Sequence, residues 1–289
     1  MMKFLLVLVS SLISLVPAAA QVEIRLAADR NTYLEQEGIG LNLVITNRSG
    51  ADIELKSIGQ QSWLDFKVTS GTGEIIAPIR RELFQRVVVP RGASVSKRVP
   101  LTRFYSLTQT GKYSVRANVN LGNNTSFTSG GAHFTIVTAP AFWSKRIGVP
   151  EGQPGSGNIR LYSLKRAVVE RTNRLFLQID DETTGQTITV IQLGQALSSS
   201  DPIPLIDKNQ TFHVLFQNTS VLYVHTTVDI HGDYQGHVIY KRLGSRPRLV
   251  LGPEGKAVVV GGVIFDPQAE QQAKGQIRKL SERPSFHYR

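Results

Sequence analysis

The chain has 289 residues, contains no cysteine and carries 33 Lys and Arg residues against 22 Asp and Glu residues, a formal net charge of +11. The lack of cysteine excludes disulfides, thiolate nucleophiles and cysteine-based metal sites. The length is sufficient for two ordinary domains, and the positive charge favours anionic partners.

The first predicted element is a secretion signal over residues 1–20. One positive charge precedes an apolar run over 4–16, and Ala18 and Ala20 satisfy the small-residue rule of signal peptidase, so Gln21 is the expected mature N-terminus. The apolar run is shorter than the roughly 20 residues that span a bilayer; an uncleaved membrane anchor is the alternative. Because exported eukaryotic domains usually carry disulfides, we expect a soluble periplasmic or extracellular bacterial protein.

Residues 21–140 show apolar and polar residues in alternation, as in Val22, Ile24 and Leu26. A period of two is typical of strands with one buried and one solvated face. About seven such runs, separated by turn-forming residues, predict an antiparallel β-sandwich.

Two motifs in this region resemble bacterial immunoglobulin-like domains. One is YLEQEGIGLNLVITNRSG at 33–50, and the other is LTQTGKYSVRANV at 107–119. In immunoglobulin-type sandwiches, a tyrosine near the start of a late strand bonds back to the backbone upstream. The resemblance covers residues 22–137 and implies this structural role for Tyr113.

Residues 141–158 are predicted to be a linker, because VPEGQPGSGN at 149–158 is rich in Pro, Gly and Ser. Residues 159–265 are predicted to form an antiparallel β-meander domain. It contains two stretches, each about 45 residues long, that resemble β-propeller blades. Two blades cannot close a propeller, so we favour two meanders that face each other as a sandwich. A larger assembly and a chance similarity are the alternatives. Residues 266–289 are predicted to be a short, frayed basic tail.

The catalytic motifs that the sequence offers are weak. Ser94 and Lys97 match the Ser-x-x-Lys pattern of penicillin-binding enzymes, which needs both side chains on one helical turn. Between Pro90 and Pro100 we expect a strand, on which residues three apart point to opposite faces. The sequence lacks hydrolase and nucleotide-binding fingerprints. We therefore expect no enzymatic activity and no cofactor.

The best-placed metal candidates are His231 and His237, which lie on either side of a turn at Gly232. Strand geometry separates His225 from His231 by roughly 20 Å, too far to share one ion. No His-Glu-x-x-His motif accompanies them. We therefore expect half-exposed hairpin residues and no metal.

The basic residues are unevenly distributed and provide the candidate site. The polyanion-binding candidates are Arg80, Arg81, Arg86, Arg91, Lys97, Arg98, Arg246 and Arg248. Positive fields of this kind attract polyanions and weaken with salt. In a bacterial envelope the polyanions are anionic glycans, lipid headgroups and acidic proteins, whereas the export signal argues against nucleic acid. A basic surface that serves solubility alone is the alternative.

The sequence therefore predicts an exported, non-enzymatic binding or structural protein of the bacterial envelope. Its expected partner is an envelope protein or an anionic glycan, and peripheral membrane contact is open. The alternative is a polysaccharide-binding accessory module whose exposed aromatic side chains stack on sugars. Its candidate residues are Trp63, Phe142, Trp143 and Tyr162. The sequence indicates neither the ligand nor the oligomeric state.

Overall fold

The computed structural model describes residues 22–122 and 125–266. This part of the chain consists of 22 strands and one turn of 3-10 helix, Leu101–Arg103. The predicted all-β class is thereby confirmed. The predicted signal peptide and the basic tail beyond Asp266 lie outside the described residues. No helix within the described ranges has the length and apolarity to cross a membrane.

The described chain divides into two compact units. Unit 1 combines the stretch that ends at Arg30 with Ile39–Ser106 and Lys112–Phe134. Unit 2 combines Asn31–Gly38 and Leu107–Gly111 with the chain from Thr135 onward. This division differs from the expected break at 141–158, because short segments from the first 140 residues belong to unit 2.

The first eleven strands supply unit 1 and the early segments of unit 2. In chain order they are β1 (Val22–Ala28), β2 (Thr32–Leu34), β3 (Gly40–Asn47), β4 (Ile53–Leu55), β5 (Leu64–Ser70), β6 (Ile75–Ile76), β7 (Val87–Val89), β8 (Ser94–Pro100), β9 (Gly111–Gly122), β10 (Thr125–Thr128) and β11 (Ala132–Val137). One sheet has the order β1-β3-β8, and a second follows β2-β11-β9-β5-β6, with β10 on β9. Strands β4 and β7 form a separate ladder.

Alternating burial along these strands follows the period of two in the sequence. In β3 the side chains of Leu41, Leu43 and Ile45 are buried, whereas the side chains between them are more exposed. Tyr113, at the start of β9, is also buried and stacks on Phe134 with ring centroids 5.5 Å apart. Tyr113 is therefore a core residue, and its backbone bond stays a prediction.

The remaining eleven strands belong to unit 2. They are β12 (Ala141–Gly148), β13 (Ile159–Val169), β14 (Thr172–Asp181), β15 (Gln186–Gln195), β16 (Ile203–Ile206), β17 (Phe212–Gln217), β18 (Leu222–Val228), β19 (Tyr234–Lys241), β20 (Arg248–Leu251), β21 (Ala257–Val260) and β22 (Val263–Ile264). A four-stranded sheet has the order β12-β13-β14-β15, and a five-stranded sheet has the order β16-β17-β18-β19-β22. Strands β20 and β21 pair as a hairpin.

The two larger sheets of unit 2 share one buried core. Leu164 and Leu177 of the first sheet belong to the same cluster as Val214 and Phe216 of the second. Unit 2 therefore buries its apolar side chains between two facing sheets, but these are not the two four-stranded meanders that the sequence predicted. Burial of apolar side chains on both inner faces is the main force that holds the sheets together.

Two features of unit 2 differ from prediction. Residues 141–148, expected in the linker, form β12, which pairs with β13 and packs Trp143 and Ile147 against the core. The blade-like repeats do supply four strands each, but the first repeat divides β14 and β15 from β16 and β17 between the two sheets. The repeats are therefore not four-stranded blades, because the four strands of one repeat do not form one sheet. The two sheets instead bury their inner faces against each other.

Candidate functional site: a basic pocket in unit 1

A pocket of about 320 Å³ opens beside β5 in unit 1. Strand β5, the irregular segment 77–86 and the residues that follow the 3-10 helix form most of its wall. Its lining residues are Gln60, Gln61, Ser62, Leu64, Asp65, Phe66, Pro78, Arg80, Arg81, Glu82, Leu83, Phe84, Phe104, Tyr105 and Asn120. We call it the Arg80–Arg81 pocket.

The segment 77–86 is irregular but tied to the fold at both ends. Near its start, the backbone N–H of Ile79 donates to the carbonyl of Phe104 at 2.8 Å. Near its end, the indole N–H of Trp63 donates to the carbonyl of Gln85 at 2.9 Å. The two arginines between these bonds therefore extend from an anchored loop.

Aromatic side chains form the apolar wall of the pocket. Phe84 meets Trp63 and Phe104 in edge-to-face contacts, with centroid separations of 6.0 and 5.9 Å. Such geometry is favourable for aromatic pairs and limits the motion of the Phe84 ring. The wall therefore holds the Phe84 ring in a fixed position.

Tyr105 closes the inner end of the pocket. Its hydroxyl donates to the carbonyl of Phe66 at 2.5 Å, and the side chain is buried. Burial raises the pKa of Tyr105 to about 12; the nearby Asp65 carboxylate adds to the rise, and Arg81 opposes it. Tyr105 is therefore a neutral hydrogen-bonding residue, and it provides a long-range bond to the backbone of the kind expected of Tyr113.

The charges in the pocket are mixed. Arg80 and Arg81 are exposed and form no ion pair with any described residue. Asp65 and Glu82 also line the pocket, so hydrogen-bond acceptors stand beside the cations. The arrangement suits a ligand that has both an anionic group and hydroxyl groups, because guanidinium groups bind anionic oxygens and carboxylates accept from hydroxyls.

The other basic candidates of unit 1 lie in different surroundings. Arg86 pairs with Glu54 at 2.5 Å, and Arg98 pairs with Asp29 at 2.5 Å. Lys97 lies over the Phe84 ring, 5.5 Å from its centroid, and so borders the pocket from outside its lining. Arg91 is exposed in the turn before β8. The structure thus brings only part of the basic stretch together.

The two polyanion-binding candidates of unit 2, Arg246 and Arg248, are close in the sequence and also lie close together in the structure. Both line a second pocket, of about 450 Å³, beside Ser199 and Ser200. Sequence reasoning selected these arginines by charge, but it missed the serines and the amide residues Gln60, Gln61 and Asn120. The amides lie in turns and on β9, where sequence alone contains no signal for a pocket.

The aromatic residues proposed for sugar stacking are placed differently from the expectation. Trp63 is 1% exposed and Tyr162 is 0% exposed, so neither can contact a glycan. Trp143 packs against the core of unit 2. Phe142 is exposed, but the Arg166 guanidinium lies over its ring, 5.1 Å from the centroid. The alternative function required these side chains at the surface, although a tryptophan is more often a core residue. Burial removes Trp63 and Tyr162 from that role, whereas Phe142 is exposed.

The histidines of unit 2 also regroup. His237 Nδ1 bonds to the hydroxyl of Tyr234 at 2.6 Å, and His231 is exposed in the turn after β18. His225 instead contacts His213, which sequence reasoning did not select. Within the described residues, no group of three or more His, Asp or Glu side chains could hold a metal ion.

Comparisons with known proteins leave the family open. No protein-family model and no curated protein match the chain. The alkylpurine DNA glycosylase AlkC of Pseudomonas fluorescens, solved with DNA that contains an abasic site analog, is similar at 18% identity over 42% of this chain and 31% of that chain, with a TM-score of 0.29. This chain therefore spans less than a third of the glycosylase. Spo0M, a sporulation control protein from Bacillus subtilis, is similar at 7% identity over 91% of this chain and 98% of that chain, with a TM-score of 0.26.

Proposed function

We propose that this chain is an exported, non-enzymatic binding protein of a bacterial envelope, and that it holds an anionic glycan in the Arg80–Arg81 pocket. The observation that carries the proposal is the position of two guanidinium groups, unpaired among the described residues, beside a fixed aromatic wall. The secretion signal and the cysteine-free composition support the envelope location.

The lining of the pocket favours an acidic sugar over a simple polyanion. A uniform polyanion would be repelled by Asp65 and Glu82, which lie among the arginines. A sugar acid has hydroxyl groups for those carboxylates, a carboxylate for the guanidinium groups and an apolar ring face for Phe84. The amides of Gln60, Gln61 and Asn120 add donors and acceptors at the rim.

The test is a titration of the chain from Gln21 onward with galacturonate oligomers and with neutral galactose oligomers of equal length. We expect the Arg80→Glu/Arg81→Glu variant to lose at least about tenfold in affinity for the acidic oligomer, since hydrogen bonds to charged groups contribute about 1.5–3 kcal/mol each. Arg91→Glu/Arg116→Glu makes the same change of charge at two exposed positions outside the lining and serves as the matched control.

Three results would contradict this proposal. Equal binding of the neutral and acidic oligomers would mean that the arginines do not bind the carboxylate of the sugar. An equal loss in the Arg91→Glu/Arg116→Glu variant would indicate attraction by the overall charge, not by the pocket. The oligomer recovered after binding should be intact, since the proposal assigns no cleavage activity to the chain; shortened oligomers would overturn that part.

A further inference from the structure

The β20–β21 hairpin of unit 2 has one buried face and one exposed face. On the buried face, Leu249 and Val259 pack with Leu215 and Tyr223 of the five-stranded sheet. The register pairs Val250 with Val258 and Arg248 with Val260, so these four side chains share the opposite face.

The exposed face of the hairpin is apolar at three of its four positions. Val250, Val258 and Val260 are 37, 41 and 45% exposed. Single exposed valines need no explanation, but three neighbours on one two-stranded ribbon form a patch, and such patches mark interaction sites. Arg248, on the same face, is also exposed. We call these four residues the hairpin face.

A pocket adjoins the hairpin face and holds a second arginine in place. Arg246, Arg248 and Val250 line it together with Ser199 and Ser200. The Nη2 group of Arg246 donates to the Ser200 hydroxyl at 2.6 Å, and its guanidinium carbon lies 5.6 Å from the centroid of the Tyr223 ring.

Ser200 is fixed from a second side. It is 7% exposed, and its carbonyl accepts from Nη2 of Arg166 at 3.3 Å. One buried serine therefore orders two guanidinium groups, so that Arg246 needs little further ordering to bind an anion.

The charges around the hairpin face are predominantly positive. Arg246 and Arg248 form no ion pair within the described part of the chain, and Asp201 is the acidic residue of the pocket lining. At the turn of the hairpin, Lys256 pairs with Glu254 at 2.9 Å. The apolar ribbon thus has unneutralised guanidinium groups along one side.

We propose that the hairpin face and the adjoining pocket bind the surface of an anionic lipid bilayer. Arg246 and Arg248 bind headgroup phosphates, and Val250, Val258 and Val260 contact the boundary between headgroups and acyl chains. Apolar contact combined with attraction to anionic lipids is the usual basis of interfacial binding. This surface uses no residue of the Arg80–Arg81 pocket, so it goes beyond the glycan site.

The test is co-sedimentation with vesicles, using the chain from Gln21 onward because the apolar N-terminal run would itself insert. We expect binding to phosphatidylcholine vesicles that contain phosphatidylglycerol and none to phosphatidylcholine alone. The Arg246→Glu/Arg248→Glu variant should bind at least about tenfold more weakly, since each basic residue near an anionic membrane contributes substantially to binding.

A second variant, Val258→Ser/Val260→Ser, keeps every charge and changes only exposed positions. It should also bind several-fold more weakly, which attraction by charge alone would not cause. Arg80→Glu/Arg81→Glu is the matched charge control and should keep vesicle binding, whereas the Arg246→Glu/Arg248→Glu variant should keep galacturonate binding. Failure of one site is thereby distinguishable from failure of the other.

Three outcomes would overturn the proposal. The first is equal sedimentation with both kinds of vesicle, or with neither. The second is unchanged binding in the Arg246→Glu/Arg248→Glu variant. The third is concentration-dependent dimerisation that Val258→Ser/Val260→Ser abolishes, because a second copy of the chain would then cover the hairpin face.

Discussion

Nδ1 of His213 lies 3.1 Å from Nε2 of His225 inside unit 2, and the two imidazole rings stack with centroids 5.3 Å apart. One nitrogen must donate and the other must accept, so the contact requires at least one neutral ring. The Oδ2 atom of Asp207 lies 3.4 Å from Nε2 of His213, within ion-pair range but long for a hydrogen bond.

This pair predicts that the protein loses stability in mild acid. Burial lowers the pKa of His225 to about 4, and the charge of His213 adds to that effect. Burial also lowers the pKa of His213, against the opposing influence of Asp207. A histidine in the unfolded chain titrates near pH 6.5. Between about pH 6.5 and 4 the unfolded chain therefore binds a proton at His225 that the folded chain does not bind. This difference lowers the free energy of unfolding by roughly 3 kcal/mol.

Denaturant unfolding between pH 7.5 and 4 measures this loss. The free energy of unfolding should be at its full value above about pH 6.5 and fall as the pH drops towards 4. In a His225→Gln variant the fall should be smaller, because the unfolded state no longer gains that proton. The exposed His231→Gln variant is the control; an identical pH dependence in all three proteins would contradict the prediction.

Tyr105→Phe should destabilise unit 1 without changing its shape. The variant removes the donor to the Phe66 carbonyl in a buried setting. An unsatisfied buried acceptor costs about 1–3 kcal/mol of the free energy of unfolding. Equilibrium unfolding measures it, with Tyr234→Phe as the control, because that variant removes an exposed hydroxyl that bonds to His237 and should cost less. In the native protein, Tyr105 should ionise near pH 12, and spectrophotometric titration of the Tyr105→Phe variant should lose that step.

Asn47→Ala should lower the free energy of unfolding by more than expected for a polar residue in a turn. The side chain is 0% exposed; its Nδ2 donates to the carbonyls of Ala51 and Val89, and its Oδ1 accepts from the backbone N–H and the hydroxyl of Ser49. Loss of four bonds at one buried site should lower the free energy of unfolding by about 2–4 kcal/mol. Asn209→Ala, at an exposed turn, should change it by less than about 0.5 kcal/mol.

The alternation of apolar and polar residues was sufficient to predict most strands, but it did not predict the pocket. The alternation of Leu41, Leu43 and Ile45 predicted β3 correctly, because one residue in two faces the core. Strand β12 was missed because it is an edge strand with few buried positions, and the Pro- and Gly-rich turn after it dominated the composition.

The candidate site depends on contacts between residues that are distant in sequence. Arg80, Arg81 and Arg86 look alike in the sequence, yet Glu54 neutralises only Arg86. No local period encodes that contact, nor the bond from Trp63 that fixes the end of the segment 77–86. Charge could therefore be predicted from the sequence, whereas the selection among like charges could not.

Gly232→Ala should destabilise the fold for two reasons, the positive φ of the backbone and the lack of space for a Cβ atom. Gly232 has φ of +86°, and a Cβ atom there would lie 2.8 Å from Cγ2 of Thr189. Gly244 has φ of +71° with open space around it, so Gly244→Ala reports the backbone cost alone, about 1–2 kcal/mol. Gly232→Ala should lose a further 1–3 kcal/mol or so from overpacking against β15. Thermal and denaturant unfolding of both variants would decide the matter: equal losses would mean that Thr189 moves away freely, and that the turn after β18 is not packed as tightly against β15 as its geometry indicates.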